Sequence, residues 1–238
     1  MQKTTWISHR GLRDVENTKE SFQSAVGKGF VFLETDLRVT KDGQIVLCHD
    51  EGFGRVGGPQ VPVHELTREQ VAEIELGEQK RNPMFFDQFI DLFAGLSWTL
   101  DIKPEQGFTT ISKLVDWAKS HSAEEWIQSH AQFLLWNKKQ QDFLMTHFPK
   151  ARCYARRFEC YGAALRAKFH LPFAIERDKT YASPVFIGNW KVMTKEFVDT
   201  FHKAGARVCA FLPENANEAR VALESGVDEI LTNYEIVT

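Results

Sequence analysis

In "FVFLETDLRV", residues 30–39, side chains two apart on a strand share a face. Phe32, Glu34 and Asp36 therefore point one way, and Val31, Leu33, Thr35 and Leu37 the other. Two carboxylates side by side at the end of an otherwise apolar strand repel each other and are costly to desolvate. A hard divalent cation held by oxygen is the usual remedy, and a solvated strand end carrying two acids is the plainer alternative. In "WTLDIKPE", Asp101 and Lys103 share a face with Thr99. Asp101 is the candidate third ligand and Lys103 a contact for an anionic substrate, with an Asp101–Lys103 ion pair as the structural alternative. His9 follows "TTWIS" and His49 follows "GQIVLC". Two imidazoles flanking a scissile bond can act as general base and general acid. Arg10 offers a planar fork to phosphate and Gly11 permits close backbone approach. Glu16 and Asn17 belong either to a helix cap or to the support of the metal site. Mg²⁺ and Ca²⁺ both suit an oxygen-only donor set. Zinc does not, because no histidine or cysteine cluster has ligand spacing.

To bring these groups together, the chain must place several strand ends side by side. Strand-like runs fall at 5–8, 30–37, 97–102, 125–129, 151–156, 184–189, 206–211 and 227–232. Helical patterns such as "TTISKLVDWAKSHS", "TKEFVDTFHKAG" and "NANEARVALESG" lie between several of them. Eight strand and helix units in one chain of this length predict an α/β fold, a TIM (β/α)8 barrel whose active groups gather at the carboxyl ends of the strands. A doubly wound sheet is the alternative, but no GxGxxG follows any strand. Residues 38–65 break the alternation with a hairpin turning at Asp42 and Gly43 and a glycine-rich stretch. They are expected to form a small insertion after the second strand of a single domain spanning 1–238.

The totals narrow the function classes. The chain has 238 residues, 43% of them hydrophobic, and a formal net charge of −3, so a sizeable core is expected and a nucleic-acid partner is not. No apolar run approaches the ~20 residues that span a bilayer, so no stable membrane insertion is expected, and "MQKTTWISHRG" lacks the apolar middle of a signal peptide. A cytoplasmic location follows as an expectation. Cys48, Cys153, Cys160 and Cys209 form no CxxC pair and are taken as reduced. The remaining histidines, His64, His121, His130, His147, His170 and His202, have no comparable setting. The aromatic stretches "HAQFLLWNKKQ" and "SPVFIGNWK" are read as loops that could meet an acyl chain.

"HRG", "ENT", "ETD", "TKDG", "CHD" and "DIK", in this order, resemble the glycerophosphodiester phosphodiesterase family, and the tail ending "GVDEILTN" is similar to the family's closing segment. The resemblance implies a TIM barrel that hydrolyses glycerophosphodiesters to glycerol 3-phosphate and an alcohol, assisted by a divalent cation and passing through a cyclic phosphate. It implies Glu34, Asp36 and Asp101 as metal ligands, His9 and His49 as the acid and base pair, and Arg10 and Lys103 as phosphate contacts. Val15 stands where the family usually has proline, Asp101 where glutamate is commoner, Cys209 and Phe211 where a tryptophan is common, and Asn233 where aspartate is usual. These departures bear on the pocket for the leaving group. Lysophospholipids remain an alternative substrate. The functional alternatives are lysophospholipase D or sphingomyelinase D-like activity, a barrel that binds a phosphorylated ligand without hydrolysis, and an aldolase or isomerase using Lys103 as a Schiff base.

Overall fold

Ile7, Leu33, Trp98, Leu100, Phe133 and Ile230 are fully buried along short strands whose two faces are both covered. Such strands make a parallel sheet wrapped by helices. The computed structural model describes residues 4–168 and 174–236. Its strands are β1 (Thr5–His9), β2 (Phe32–Val39), β3 (Ile45–Leu47), β4 (Ser97–Ile102), β5 (Ala131–Leu135) and β6 (Arg152–Cys153). They continue with β7 (Thr180–Ser183), β8 (Phe186–Ile187), β9 (Trp190–Lys191), β10 (Arg207–Phe211) and β11 (Glu229–Thr232). Eight of these pair in parallel in the order β6-β5-β4-β2-β1-β11-β10-β7, and a parallel bridge between Tyr154 and Thr180 brings the two ends together. The result is a nearly closed TIM barrel. Around it lie α1 (Lys19–Gly27), α2 (Arg68–Ala72), α3 (Phe86–Phe93), α4 (Gly107–Ser120), α5 (Glu124–His130), α6 (Lys138–His147), α7 (Arg157–Lys168), α8 (Lys195–Lys203) and α9 (Ala216–Ser225). No helix among the described residues is long and apolar enough to cross a membrane.

Two expected strands are displaced. "EWIQS" is helical and belongs to α5; the barrel strand follows it. Glu124 and Glu125 favour a helix start, and Trp126 and His130 lie one turn apart, with Trp126 set edge-on against Trp98 at 5.0 Å between centroids. "PVFIGN" lies beyond the barrel strand β7. Pro184 has no N–H to give a ladder, and Phe186–Ile187 instead forms a hairpin with Trp190–Lys191. "HAQFLLWNKKQ" is correspondingly not a loop, because it contains β5 and the start of α6.

The excursion after β2 has its own small core. β3 returns antiparallel to β2, pairing Leu37 with Leu47 and Val39 with Ile45, and Gly43 takes φ 82° in the turn. Val46, Phe53 and Val63 pack there with Val71, Leu76 and Phe85, which lie beyond residue 65. At the amino ends of the strands, Glu229 is held inside the barrel. It accepts from Tyr154 Oη at 2.7 Å and Gln132 Nε2 at 3.1 Å, and pairs with Arg207 at 3.0 Å. That carboxylate is fully partnered. His170 lies outside the described residues.

Candidate active site

The strand register sets the acids together at the opposite end. Asp36 stands beside Asp101 across β2 and β4, and His9 beside Glu34 across β1 and β2. Oxygens of Glu34, Asp36 and Asp101 all lie within 4.8 Å of one another, and all three residues are buried. Lys103 Nζ sits 2.7 Å from Asp36 Oδ1 and 2.6 Å from Asp101 Oδ2. The ion-pair alternative for Lys103 is therefore present, and it includes both aspartates. Arg10 Nε is 3.0 Å from Asp36 Oδ2.

The turn after β1 delivers Arg10 and Asn17. Both adopt left-handed backbone, φ 58° and 57°, and the Asn17 N–H donates to the Arg10 carbonyl at 2.9 Å. Asn17 Nδ2 donates to Asp36 Oδ2 at 2.9 Å while its Oδ1 accepts from Thr35 at 2.8 Å. Asn17 thus supports the acid cluster, and Thr18 is the residue that caps α1, in a reciprocal box with Ser21. Gly11, at φ 90°, makes its close approach to the start of that helix. A Cβ there would lie 2.3 Å from Ser21 Oγ and 2.6 Å from the Ser21 carbonyl carbon.

Electrostatics separates the three acids. Burial, then the neighbouring Asp36, holds the Glu34 carboxyl well above the usual range, and Glu34 Oε2 is buried without a hydrogen-bond partner. Asp36 is equally buried, but Lys103 and then Arg10 hold it below the ordinary value. Burial raises Asp101 despite Lys103. Lys103 itself is held charged: burial opposes its charge, and Asp101 and Asp36 more than compensate. An orphaned carboxylate oxygen beside two further acids fits a divalent cation, and Glu34, Asp36 and Asp101 could hold one.

The two histidines have different surroundings. His9 is mostly buried, with Nδ1 2.7 Å from Asn233 Oδ1 and Nε2 3.9 Å from Glu34 Oε2. Burial, and then Arg10, lowers its pKa to about 4. His49 is about one-third exposed, and its Nδ1 is 2.6 Å from Asp50 Oδ1. Arg55 Nε pairs with Asp50 Oδ2 at 2.6 Å, and Arg55 Nη1 reaches Glu16 Oε2 at 3.0 Å. Glu16 therefore joins Arg55 and Arg10 and does not touch the acid cluster directly. A cavity of about 300 Å³ is lined by the polar His9, Arg10, Glu34, His49, Asp101 and Lys103. Leu134, Trp136, Ala164, Pro184 and Phe211 add apolar surface to the same lining.

The family model described as "Glycerophosphoryl diester phosphodiesterase family" matches residues 8–236. The chain belongs to that family. It is 26% identical to a glycerophosphodiester phosphodiesterase from Caldanaerobacter subterraneus, over 97% of this chain and 94% of that one. It is 23% identical to a human lysophospholipase D, over 96% of this chain and 82% of that one. Among solved structures, the glycerophosphoryl diester phosphodiesterase domain of a Mycobacterium tuberculosis protein superposes with a TM-score of 0.81 at 15% identity, covering 98% of this chain and 97% of that one. An Oleispira antarctica phosphodiesterase in complex with the product sn-glycerol-3-phosphate superposes with a TM-score of 0.75 at 18% identity, covering 97% and 93%.

In this phosphodiesterase family member, Trp136 and Arg55 belong to no motif of the sequence, whereas Asp50 and Asn233 do. Trp136 Nε1 donates to Asp101 Oδ1 at 2.9 Å, and its ring lies 5.7 Å from Lys103 Nζ. It follows β5 directly, so it was hidden by the displacement of that strand. Asp50 and Arg55 hold His49, and the "HD" pair was the available signal for Asp50. Asn233 contacts His9, so this departure from the family pattern touches an imidazole. Phe211 does line the cavity, while Cys209 is buried inside the barrel.

Proposed function

We propose that this phosphodiesterase hydrolyses glycerophosphodiesters to glycerol 3-phosphate and an alcohol, with Glu34, Asp36 and Asp101 holding a divalent cation, Mg²⁺ or Ca²⁺. The observation that carries the proposal is the buried three-acid cluster with its unpartnered Glu34 oxygen, whose Glu34 and Asp101 line one cavity with both imidazoles. Three carboxylates face two fixed cations, Arg10 and Lys103. When bound, the cation supplies positive charge to the non-bridging phosphate oxygens, which repel a nucleophile until they are neutralised. Arg10 and Lys103 serve the same oxygens.

The hydrogen bonds favour distinct roles for the histidines. Asn233 Oδ1 is an acceptor, so His9 carries its proton on Nδ1 and turns a bare Nε2 towards the cavity, as a base requires. Burial keeps that imidazole neutral. Asp50 accepts from His49 Nδ1 and fixes the orientation of the ring, as a proton-delivering Nε2 requires. His9 Nε2 takes the proton of the glycerol 2-hydroxyl, whose oxygen forms the new bond to phosphorus. The bond to the alcohol oxygen breaks and that oxygen takes a proton from His49. Water then opens the cyclic phosphate with the proton transfers reversed.

A second substrate reading, release of the alcohol from lysophospholipids, is supported by the apolar cavity lining and by similarity to a lysophospholipase D. One domain over 1–238 and a cytoplasmic location complete the proposal; the latter is supported by the burial of Cys48, Cys153 and Cys209 in three separate clusters. The test is release of glycerol 3-phosphate from glycerophosphocholine, with EDTA and with added Mg²⁺ or Ca²⁺. His9→Ala and His49→Ala should each lower the rate by about 10² to 10⁴. Full activity after chelation removes the cation from the mechanism, and undiminished turnover in both variants removes the histidines.

A further inference from the structure

The segments that follow four neighbouring strands, β4, β5, β6 and β7, each carry a large apolar side chain left in solvent, in the first turns of α4 and α7, in β8 or in the loop after β5. These are Phe108, Trp136, Phe158 and Ile187, and Phe158 is 87% exposed. Tyr161 and Leu165 extend the series along α7 from Phe158, at helical spacing on one face. Such residues scattered singly are ordinary; gathered on one side of a cavity mouth they mark a contact surface. Exposed cations alternate with them: Lys139 after Trp136, Arg157 before Phe158 and Lys191 after Ile187. Nearby acids are already engaged, Asp142 with Lys138 and Glu159 with Arg156 and Lys179.

The apolar rim continues inward. Trp136 and Tyr161 both stand on the rim and line the cavity, where Ala155, Ala164, Pro184 and Phe211 carry the apolar surface towards the acids. Tryptophan, tyrosine and phenylalanine between basic side chains suit the boundary between lipid headgroups and acyl chains, where amphipathic rings settle and cations meet anionic headgroups.

We propose that the β4–β7 side of the barrel mouth docks on an anionic lipid surface, and that the site takes from it a phosphodiester bearing an apolar chain, which lies along the Ala155–Phe211 lining while the phosphate reaches Arg10 and Lys103. The substrate part of this proposal rests on the phosphodiesterase reading above; the docking part does not.

The test is co-sedimentation of the intact protein with vesicles of phosphatidylcholine containing phosphatidylglycerol, and with phosphatidylcholine alone, beside turnover of glycerophosphocholine and of lysophosphatidylcholine above its micelle concentration. The protein should sediment with the anionic vesicles. F158S/I187S, two side chains outside the cavity, should lower that partition by about tenfold for each chain removed, the scale of burying such a group. The same variant should lose rate on micellar lysophosphatidylcholine and keep it on glycerophosphocholine. F108S, at the β4 end of the same rim, should lower the partition by itself and serves if the double variant does not fold. Failure to sediment with anionic vesicles, or equal sedimentation of both variants, overturns the proposal. So does a wild-type dimer in sedimentation velocity that F158S/I187S disperses, because the face then belongs to a second copy. Sedimentation without turnover of either substrate would instead refute the phosphodiesterase reading, so the two failures are distinguishable.

Discussion

Replacing Glu34 by Gln should make the cation-free protein more stable while removing its cation binding. Glu34 is 2% exposed and its Oε2 has no hydrogen-bond partner. Oxygens of Asp36 and Asp101 lie within 4.8 Å. At that separation and an effective dielectric of about 20, each ionised neighbour costs Glu34 about 3 kcal/mol. Arg10 and Lys103 return part of this, but both are already engaged with the aspartates. Burial first, and then this repulsion, holds the carboxyl well above its usual pKa, and its ionised form is unfavourable in the fold. A neutral amide of the same shape keeps the packing and removes the repulsion, for a gain of about 1 to 3 kcal/mol. The assay is urea unfolding at pH 7.5 in EDTA, then with millimolar Mg²⁺ or Ca²⁺. Wild type should gain stability from the cation and E34Q should not, since a ligand stabilises only the state that binds it. E34Q less stable than wild type in EDTA would refute the reasoning, because Glu34 would then be a structural hydrogen-bonding residue and not a ligand awaiting a cation.

Other consequences follow from the same geometry. Asp50→Asn should lower kcat on glycerophosphocholine by about 10- to 100-fold by removing the carboxylate behind His49, with a smaller loss on a substrate whose leaving group is p-nitrophenol and needs no acid. Equal losses on both would contradict an acid role for His49. For His9, the folded pKa of about 4 lies below the ordinary 6.5, so the unfolded chain binds the extra proton as pH falls through that interval. Its contribution, about 3 kcal/mol at ~1.4 kcal/mol per unit, is fully present above pH 6.5 and lost towards pH 4. His9→Gln should flatten unfolding free energy against pH in that window, and an unchanged slope would count against the burial argument. Gly11→Ala should cost about 2 kcal/mol or more, measured by thermal unfolding, because φ 90° and the contact with Ser21 both oppose a Cβ.

The acids and the motif turn were legible because strand periodicity is local: Glu34 with Asp36, and Asp101 with Lys103, share faces by spacing alone. β1, β2, β4, β6, β10 and β11 could be read for the same reason. β5 and β7 could not. "EWIQSHAQFLLW" holds apolar residues compatible with either period, and the packing of Trp126 on Trp98, added to the acidic first turn, makes its first half helical. That ambiguity concealed Trp136, a direct partner of Asp101. Arg55 was also invisible, since nothing in a glycine-rich stretch announces that it will fold back 39 residues in sequence to Glu16. Tertiary contacts of this kind leave no periodic trace.

The central claim, that Glu34, Asp36 and Asp101 together hold a divalent ion at the floor of the cavity, is tested most directly by anomalous diffraction from crystals grown with Mn²⁺. The account predicts one strong peak within coordination distance of oxygens from all three residues. A peak elsewhere, or none at full Mn²⁺ concentration with Lys103 still bridging Asp36 and Asp101, would contradict it.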